Sequence, residues 1–192
     1  MKVKKLEVNE KEQKKIYEVL ELTEKSNIGQ FYANYGGLVV QNVIRVHGSA
    51  LSEIEMDLLN VNEGNLQRGF LEIANDIFGG AYILNSGAFE EGYGMVFYLN
   101  PETLSYENLE VDFGQFINYI CTNDILSEWY VDIYNNKLVD TEILPTQGVS
   151  VYPFFFTKEF NLDTADYQVI DFQQLRGSMK ENAFSLFGEN IF

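Results

Sequence analysis

Cysteine, histidine and proline are scarce in this sequence of 192 residues, which contains one Cys, one His and three Pro. A lone Cys121 excludes an internal disulfide and provides no cysteine cluster for a metal. No apolar run approaches the roughly 18 residues that a membrane-spanning helix requires. The first segment, MKVKKLEVNEKEQKK, is charged throughout and lacks the apolar stretch of a signal peptide. We therefore expect a cytoplasmic protein that is not held in a membrane.

Basic residues are also few, since 13 Lys and Arg stand against 29 Asp and Glu, giving a net charge of −16. Between Arg68 and Lys137 the sequence has no Lys, Arg or His, whereas eleven acidic residues occur there. Nucleic-acid binding is not expected, because it requires clustered Lys and Arg to neutralise phosphates. The negative charge either keeps the protein soluble or attracts a basic protein partner.

Apolar residues make up 46% of the chain and aromatic residues 15%. This composition can bury one sizeable core, and aromatic residues suit the half-buried surfaces of sheets. We predict a single α+β domain over residues 1–192, with a mainly antiparallel twisted sheet packed against helices. It divides into an N-terminal helix at 1–30, a sheet-and-helix core at 36–122 and a C-terminal extension at 123–192.

Polar capping residues mark the predicted helix starts. Asn9 begins a helix that extends to about Ser26, and Asp112 begins one whose apolar residues face inward. Asp124 caps a further helix that continues to Ile133. A last helix is predicted over residues 172–187.

Short runs of β-branched and aromatic residues, bounded by turn residues, predict a meander of antiparallel strands. A later extended segment is interrupted by Pro153, as expected of an edge strand or a loop with buried aromatic side chains. The runs are 38–40, 43–46, 70–74, 81–84, 95–99 and 149–160.

The segment ANDIFGGAYILNSGAFEEGYGMVFYLNPETL is rich in glycine and contains no Lys or Arg. A phosphate-binding loop places its glycines before a helix, usually with a Lys. Here Gly79-Gly80 and the later Gly92 and Gly94 precede strand-like runs instead. We therefore interpret these glycines as hairpin-turn residues that allow a positive φ.

No catalytic residue, cofactor or metal ligand is assigned. His47 ends a predicted strand without a local nucleophile motif, which favours a structural or a solvent-exposed side chain. Cys121 lies on the apolar side of its predicted helix, where a buried and unreactive thiol is expected. The many carboxylates form chance pairs in a chain this acidic, so they do not indicate glycosidase chemistry.

Three segments in order carry a resemblance to a known family: IANDIFGGAYILNSGAF, GMVFYLNPETLSYENLEVDFGQFINYI and GVSVYPFFFTKE. With the upstream VIRVHGS they resemble an uncharacterised bacterial family, domain-of-unknown-function family 2625, over roughly residues 36–175. Where that family tends to have an Arg-Trp pair after Trp129-Tyr130, this chain has Tyr134-Asn135.

The middle of the chain also resembles the SUKH superfamily, more loosely. The resemblance lies in the order of its predicted elements, which are successive strands, the last ending in VFYLNPE, and then a helix that contains DFGQFI. Many SUKH domains are immunity proteins that neutralise toxins, and others are regulators that act by protein contact. This resemblance implies an α+β fold and a binding role, and it carries no catalytic residues.

The first hypothesis is a non-catalytic protein-binding module of immunity or regulatory type, which uses an acidic surface to bind a basic protein such as a toxin. Acidic and aromatic residues near the turns would supply the contacts. These are Asp76, Glu90, Glu91, Tyr93, Glu107, Trp129 and Tyr130.

Two alternatives remain. The chain is a small-ligand-binding protein or an enzyme, with Tyr82, Tyr98, Tyr106 and Phe89 lining an aromatic pocket near His47. Otherwise it is a scaffold or homodimer, paired through an aromatic edge such as VYPFFF.

Overall fold

A computed structural model describes residues 3–51, 56–130, 141 and 143–188. Within these ranges the chain forms a seven-stranded antiparallel sheet, a separate two-stranded sheet and six α-helices. The predicted α+β class with a mainly antiparallel sheet is therefore confirmed. The likeness to SUKH domains remains a prediction.

The large sheet is a continuous meander, in which each strand pairs with the next strand along the chain. A β-bulge between Glu72 and Ala74 interrupts the pairing of the fourth and fifth strands. The strands are β1 (Val3–Lys5), β2 (Leu38–Val40), β3 (Ile44–Val46), β4 (Phe70–Asp76), β5 (Ala81–Asn85), β6 (Met95–Asn100) and β7 (Ser105–Asp112), and the small sheet pairs β8 (Gln147–Tyr152) with β9 (Asp166–Asp171).

The predicted strands are confirmed as β2 to β6, and the extended segment before Pro153 is β8. Sequence reasoning missed β1, β7 and β9. Strand β7 is an edge strand with no fully buried residue, so its sequence SYENLEVD lacks the apolar run that marks its neighbours. Edge strands are shielded from further pairing by such polar residues, which also hide them from pattern analysis.

The turns agree with the hairpin interpretation. Gln41 and Asn42 both adopt a positive φ, of 51° and 62°, between β2 and β3. Gly79 has a φ of 93° in the turn between β4 and β5, which joins two strands and begins no helix. The glycines of this segment therefore lie in the turns between strands, as predicted.

The helices are α1 (Glu10–Val19), α2 (Asn27–Asn34), α3 (Leu58–Val61), α4 (Phe113–Thr122), α5 (Ile125–Trp129) and α6 (Phe172–Phe187). Asn9, Asp112 and Asp124 cap their helices as predicted, and α6 has the predicted bounds. The α5 helix ends at Trp129, and Ile133 lies outside the described residues.

The predicted N-terminal helix is too long, because the chain forms two helices there. The α1 helix ends at Val19, and Glu21 adopts a φ of 50° that a continuing helix does not allow. The Ser26 side chain then accepts a hydrogen bond from the Gly29 backbone N–H and begins α2. The residue taken as the end of one helix is thus the start of the next.

The large sheet is covered on both faces. The face that bears Ala74 and Tyr82 packs against α4 through Phe116, and we call it the α4 face. The opposite face bears Arg45 and Asn75, and α6 reaches it, since the Arg45 guanidinium lies 4.8 Å from the Phe172 ring centre. Successive residues of a strand point to opposite faces, so the Asp76 side chain lies on the α4 face and the Asn75 side chain lies on the opposite face. No described helix has the length and apolar character needed to cross a membrane.

Candidate binding site

A fully buried carboxylate, Asp76, ends β4 at the turn into β5. Its Oδ1 atom accepts hydrogen bonds from the backbone N–H groups of Phe78, at 2.8 Å, and Gly80, at 3.0 Å. A Cβ atom on Gly80 would lie 2.4 Å from Asp76 Oδ2, so the turn closes around the carboxylate only with glycine there. The turn sequence NDIFGG thus builds a fixed site for one negative charge.

Three tyrosines complete the shell of Asp76. Its Oδ2 atom accepts hydrogen bonds from the hydroxyl groups of Tyr98, at 2.6 Å, and Tyr130, at 3.1 Å. The Tyr82 hydroxyl lies 3.1 Å from the Tyr130 hydroxyl. Burial, followed by the charge of Asp76, raises the pKa of all three tyrosines well above the usual value. The tyrosines are therefore neutral hydrogen-bond donors at physiological pH.

Stacked rings extend from this shell to the surface. Tyr82 stacks on Tyr98 with ring centres 4.7 Å apart, and Trp129 stacks over Tyr82 at 6.3 Å. Beside them Phe78 stacks on Tyr130, with ring centres 5.8 Å apart. Trp129 remains 40% exposed, so the outer end of this stack faces solvent.

These rings form the wall of a cleft of about 430 Å³ on the α4 face. Two acidic side chains, Glu102 and Glu107, stand at its exposed rim, and Asn100 donates a hydrogen bond to Glu107 at 3.0 Å. None of the described lining residues carries a positive charge. The lining comprises Phe78, Tyr82, Tyr98, Asn100, Pro101, Glu102, Glu107, Leu109, Trp129, Tyr130 and Phe155.

The structure brings four of the seven predicted contact residues together. Glu107, Trp129 and Tyr130 line the cleft, and Asp76 lies beneath its tyrosines. The other three, Glu90, Glu91 and Tyr93, lie in the connection between β5 and β6, at the end of that hairpin away from Asp76. Tyr93 is 74% exposed there and does not line the cleft.

The alternative pocket does not exist as one site. Tyr82 and Tyr98 line the cleft, whereas Phe89 and Tyr106 pack together on the opposite face, with ring centres 5.2 Å apart. The cause is the register of the sheet, which pairs Tyr98 with Glu107 and places the neighbouring Tyr106 on the other side. The grouping of these four rings near His47 is therefore wrong.

His47 is buried on the face opposite the cleft, beside Glu72 and Asn75. Its Nε2 atom lies 3.4 Å from Glu72 Oε1 and 3.2 Å from Asn75 Nδ2. Arg176 from α6 binds the same Glu72 carboxylate at 3.1 Å. Burial favours a higher pKa for Glu72, but Arg176 and then His47 outweigh it and lower that pKa.

Cys121 lies on α4 beside the main core. Cys121 is half-buried against the core, and burial raises the pKa of its thiol, so the group is a poor nucleophile. Among the described residues, no three His, Cys, Asp or Glu side chains are grouped to hold a metal ion.

Sequence reasoning missed several members of the cleft, namely Phe78, Asn100, Glu102 and Phe155. Phe155 lies far along the chain, and only the fold brings its ring within 5.8 Å of the Phe78 ring. Asn100 and Glu102 flank the predicted β6 strand end, in the motif VFYLNPE. The departure from the family pattern at Tyr134-Asn135 lies outside the described residues.

The sequence matches, over residues 1–175, the model of a family described as protein of unknown function DUF2625. It is similar to an uncharacterized protein, YbfG, of Escherichia coli, with 27% identity over 150 residues that cover 72% of this chain and 66% of that protein. It is also similar to an uncharacterized protein of Haemophilus influenzae, with 23% identity over 151 residues, 75% of this chain and 64% of that protein. The chain thus spans slightly less than two thirds of the length of these relatives. No solved structure matches it.

Proposed function

We propose that this chain, which belongs to the DUF2625 family, is a non-catalytic protein-binding module that holds a basic side chain of its partner in the aromatic cleft. The observation that carries the proposal is the cleft itself, with stacked rings over a buried carboxylate and acidic groups at the rim. Binding by contact in this way is how immunity-type and regulatory proteins act.

The aromatic wall suits a cation. A Lys or Arg group over the face of a Tyr or Trp ring is attracted by about 0.5 to 2 kcal/mol, depending on how far it is desolvated. The Tyr98 hydroxyl donates inward to Asp76, so the negative charge beneath strengthens the same preference. A cavity of about 430 Å³ holds one such side chain with part of its neighbours.

The rim determines how a partner would approach. Glu102 and Glu107 lie within the segment between Arg68 and Lys137 that contains no basic residue. The field of such a segment raises the association rate of a basic protein and weakens as salt is added. The partner would therefore be a basic protein with an exposed Lys or Arg.

The surroundings of the carboxylate favour binding over catalysis. Asp76 already accepts four hydrogen bonds, two from backbone N–H groups and two from tyrosines. Such a group has little capacity left to abstract a proton from a substrate. The tyrosines, with raised pKa values, are equally unsuited to act as bases at neutral pH.

Trp129 is the only tryptophan in the sequence and it lines the cleft, so its fluorescence reports occupancy. We would titrate the protein with a short peptide of alternating lysine and glycine at low and high salt. Saturable change in Trp129 emission, weakened by salt, is expected. In Glu107→Gln the affinity should fall about two- to fivefold, the usual worth of an exposed ion pair.

The matched control is the double variant Glu90→Gln with Glu91→Gln. It removes acidic groups from the distant end of the β5–β6 hairpin and leaves the cleft intact. Its affinity should equal that of the unchanged protein apart from a small loss of steering. A larger loss in this control than in Glu107→Gln would move the binding site to the hairpin end and refute the proposal.

A further inference from the structure

A second cavity, of about 440 Å³, opens on the face opposite the aromatic cleft. It lies between the region of α3, the middle of β4 and the first turns of α6. Glu72 and Asn75 of β4 contribute to its lining, and His47 is bonded behind them. The sheet therefore separates this cavity from the aromatic cleft.

Positive charge is concentrated at this cavity. Seven of the chain's 13 basic residues precede residue 26, which leaves six in the rest of the sequence. Three of those six, Arg68, Arg176 and Lys180, line the cavity. Arg176 and Lys180 are four residues apart on α6 and so share one side of the helix. Such a grouping of basic residues is unexpected in a protein of net charge −16, and it indicates a site for an anion.

Two of the three cations form no ion pair within the described part of the chain. Arg176 binds the Glu72 carboxylate through both terminal nitrogens, at 3.3 Å and 3.1 Å. Arg68 and Lys180 are exposed, and neither forms an ion pair with a described residue. Glu63 also lines the cavity, so its three cations exceed its two carboxylates by one charge, and the Arg68 guanidinium lies 4.9 Å from the Phe70 ring centre. The excess positive charge favours an anion at the mouth of the cavity.

Asn75, one of the residues that line the cavity, carries an acceptor without a partner in the described part of the chain. Asn75 is fully buried, and its Oδ1 atom has no hydrogen-bond partner among the described residues. Its Nδ2 atom lies 3.2 Å from His47 Nε2. A buried acceptor without a partner is costly unless a ligand or a water donates to it.

We propose that this cavity binds a small organic anion, a carboxylate or a phosphate ester, that also carries an N–H or O–H donor. The anionic group lies between Arg68 and Lys180, and the donor reaches Asn75 Oδ1. The volume falls in the range of small-molecule sites, with few polar groups converging on the ligand. This site is independent of the protein-binding cleft.

Amino acids and nucleotides both provide this chemistry, so the test separates them. Titration calorimetry of the whole chain would use amino acids, nucleoside monophosphates and sugar phosphates in separate arms, each at up to about 1 mM, the weakest affinity expected of such a site. Sulfate, which carries no proton at neutral pH, tests the anionic group without any hydrogen-bond donor. One arm should bind with a stoichiometry of one.

The double variant Arg68→Gln with Lys180→Gln should lower that affinity about tenfold or more, since two charge-assisted hydrogen bonds are lost. The matched control, Lys158→Gln, removes an exposed positive charge outside the cavity and should leave the affinity unchanged. Ligand binding should not alter Trp129 emission, because that residue lines the other cleft.

Three results would overturn the proposal. The first is no binding in any arm, and the second is an affinity that the double variant does not change. The third is ligand binding that shifts Trp129 emission and is lost in Glu107→Gln, which would assign the ligand to the aromatic cleft. Equal affinity for sulfate would contradict the role of Asn75 as acceptor. The first two results leave the protein-binding proposal for the aromatic cleft standing, because the peptide titration tests that proposal separately.

Discussion

Removing the Tyr98 hydroxyl by Tyr98→Phe tests whether the buried carboxylate depends on its tyrosine donors. The Tyr98 hydroxyl is 2.6 Å from Asp76 Oδ2, and the side chain of Asp76 is fully buried. A hydrogen bond to a charged group contributes about 1.5 to 3 kcal/mol to stability. For a chain of this size such a loss lowers the melting temperature by about 3 to 12 °C.

The assay is urea unfolding followed by circular dichroism, with Tyr93→Phe as the matched control. The Tyr93 side chain is 74% exposed, so removal of its hydroxyl should change the free energy of unfolding by less than about 0.5 kcal/mol. The reasoning fails if the two variants have the same stability. That result would mean that Asp76 is stabilised by its remaining donors, the backbone N–H groups of Phe78 and Gly80 and the Tyr130 hydroxyl.

Three other measurements examine the remaining parts of the structure. Gly80→Ala should destabilise the fold, because a Cβ atom there would lie 2.4 Å from Asp76 Oδ2. Gly177→Ala should instead stabilise the fold by about 0.5 to 1 kcal/mol, because the space around its Cβ in α6 is open. Thermal unfolding of the two variants tests both expectations. Burial and then the charge of Asp76 raise the pKa of Tyr98 above its value in the unfolded chain. The stability that Tyr98 contributes is therefore complete below about pH 10 and is lost as the pH rises further. Unfolding measured at about pH 8 and at about pH 11 should show that loss of stability, and the loss should be smaller in Tyr98→Phe. Arg176→Met removes a positive charge that lowers the pKa of Glu72. The stability from this pairing is present at neutral pH and lost in acid, so the variant should lose more stability at about pH 7 than at about pH 4. Equal losses in urea unfolding at the two pH values would contradict the pairing.

Much of the fold could be predicted from local patterns. The caps Asn9, Asp112 and Asp124 have side chains that accept backbone hydrogen bonds, and each marks a helix start in the sequence. Buried strands such as β4 show as apolar runs between turns. Edge strand β7 could not be predicted, since it depends on pairing with β6 and lacks a buried apolar run. The break between α1 and α2 could not be predicted either, since it depends on one left-handed residue, Glu21.

The candidate site was predictable only in part. Charge and aromatic content indicated Asp76, Glu107, Trp129 and Tyr130, and the fold brings these four together. The cavity opposite could not be foreseen, because its cations come from separate segments that meet only when α6 packs on the sheet. Sequence spacing also could not show that Tyr106 faces away from Tyr98, since this depends on strand register.

The most direct test of the protein-binding account compares two peptides that differ only in charge. The first contains lysine, and in the second each lysine is acetylated, which keeps the length and removes the positive charge. If the cleft holds a basic side chain, the lysine peptide saturates the change in Trp129 fluorescence and the acetylated peptide binds at least about tenfold more weakly. Equal binding of the two peptides, or no response of Trp129 to either, would contradict the account.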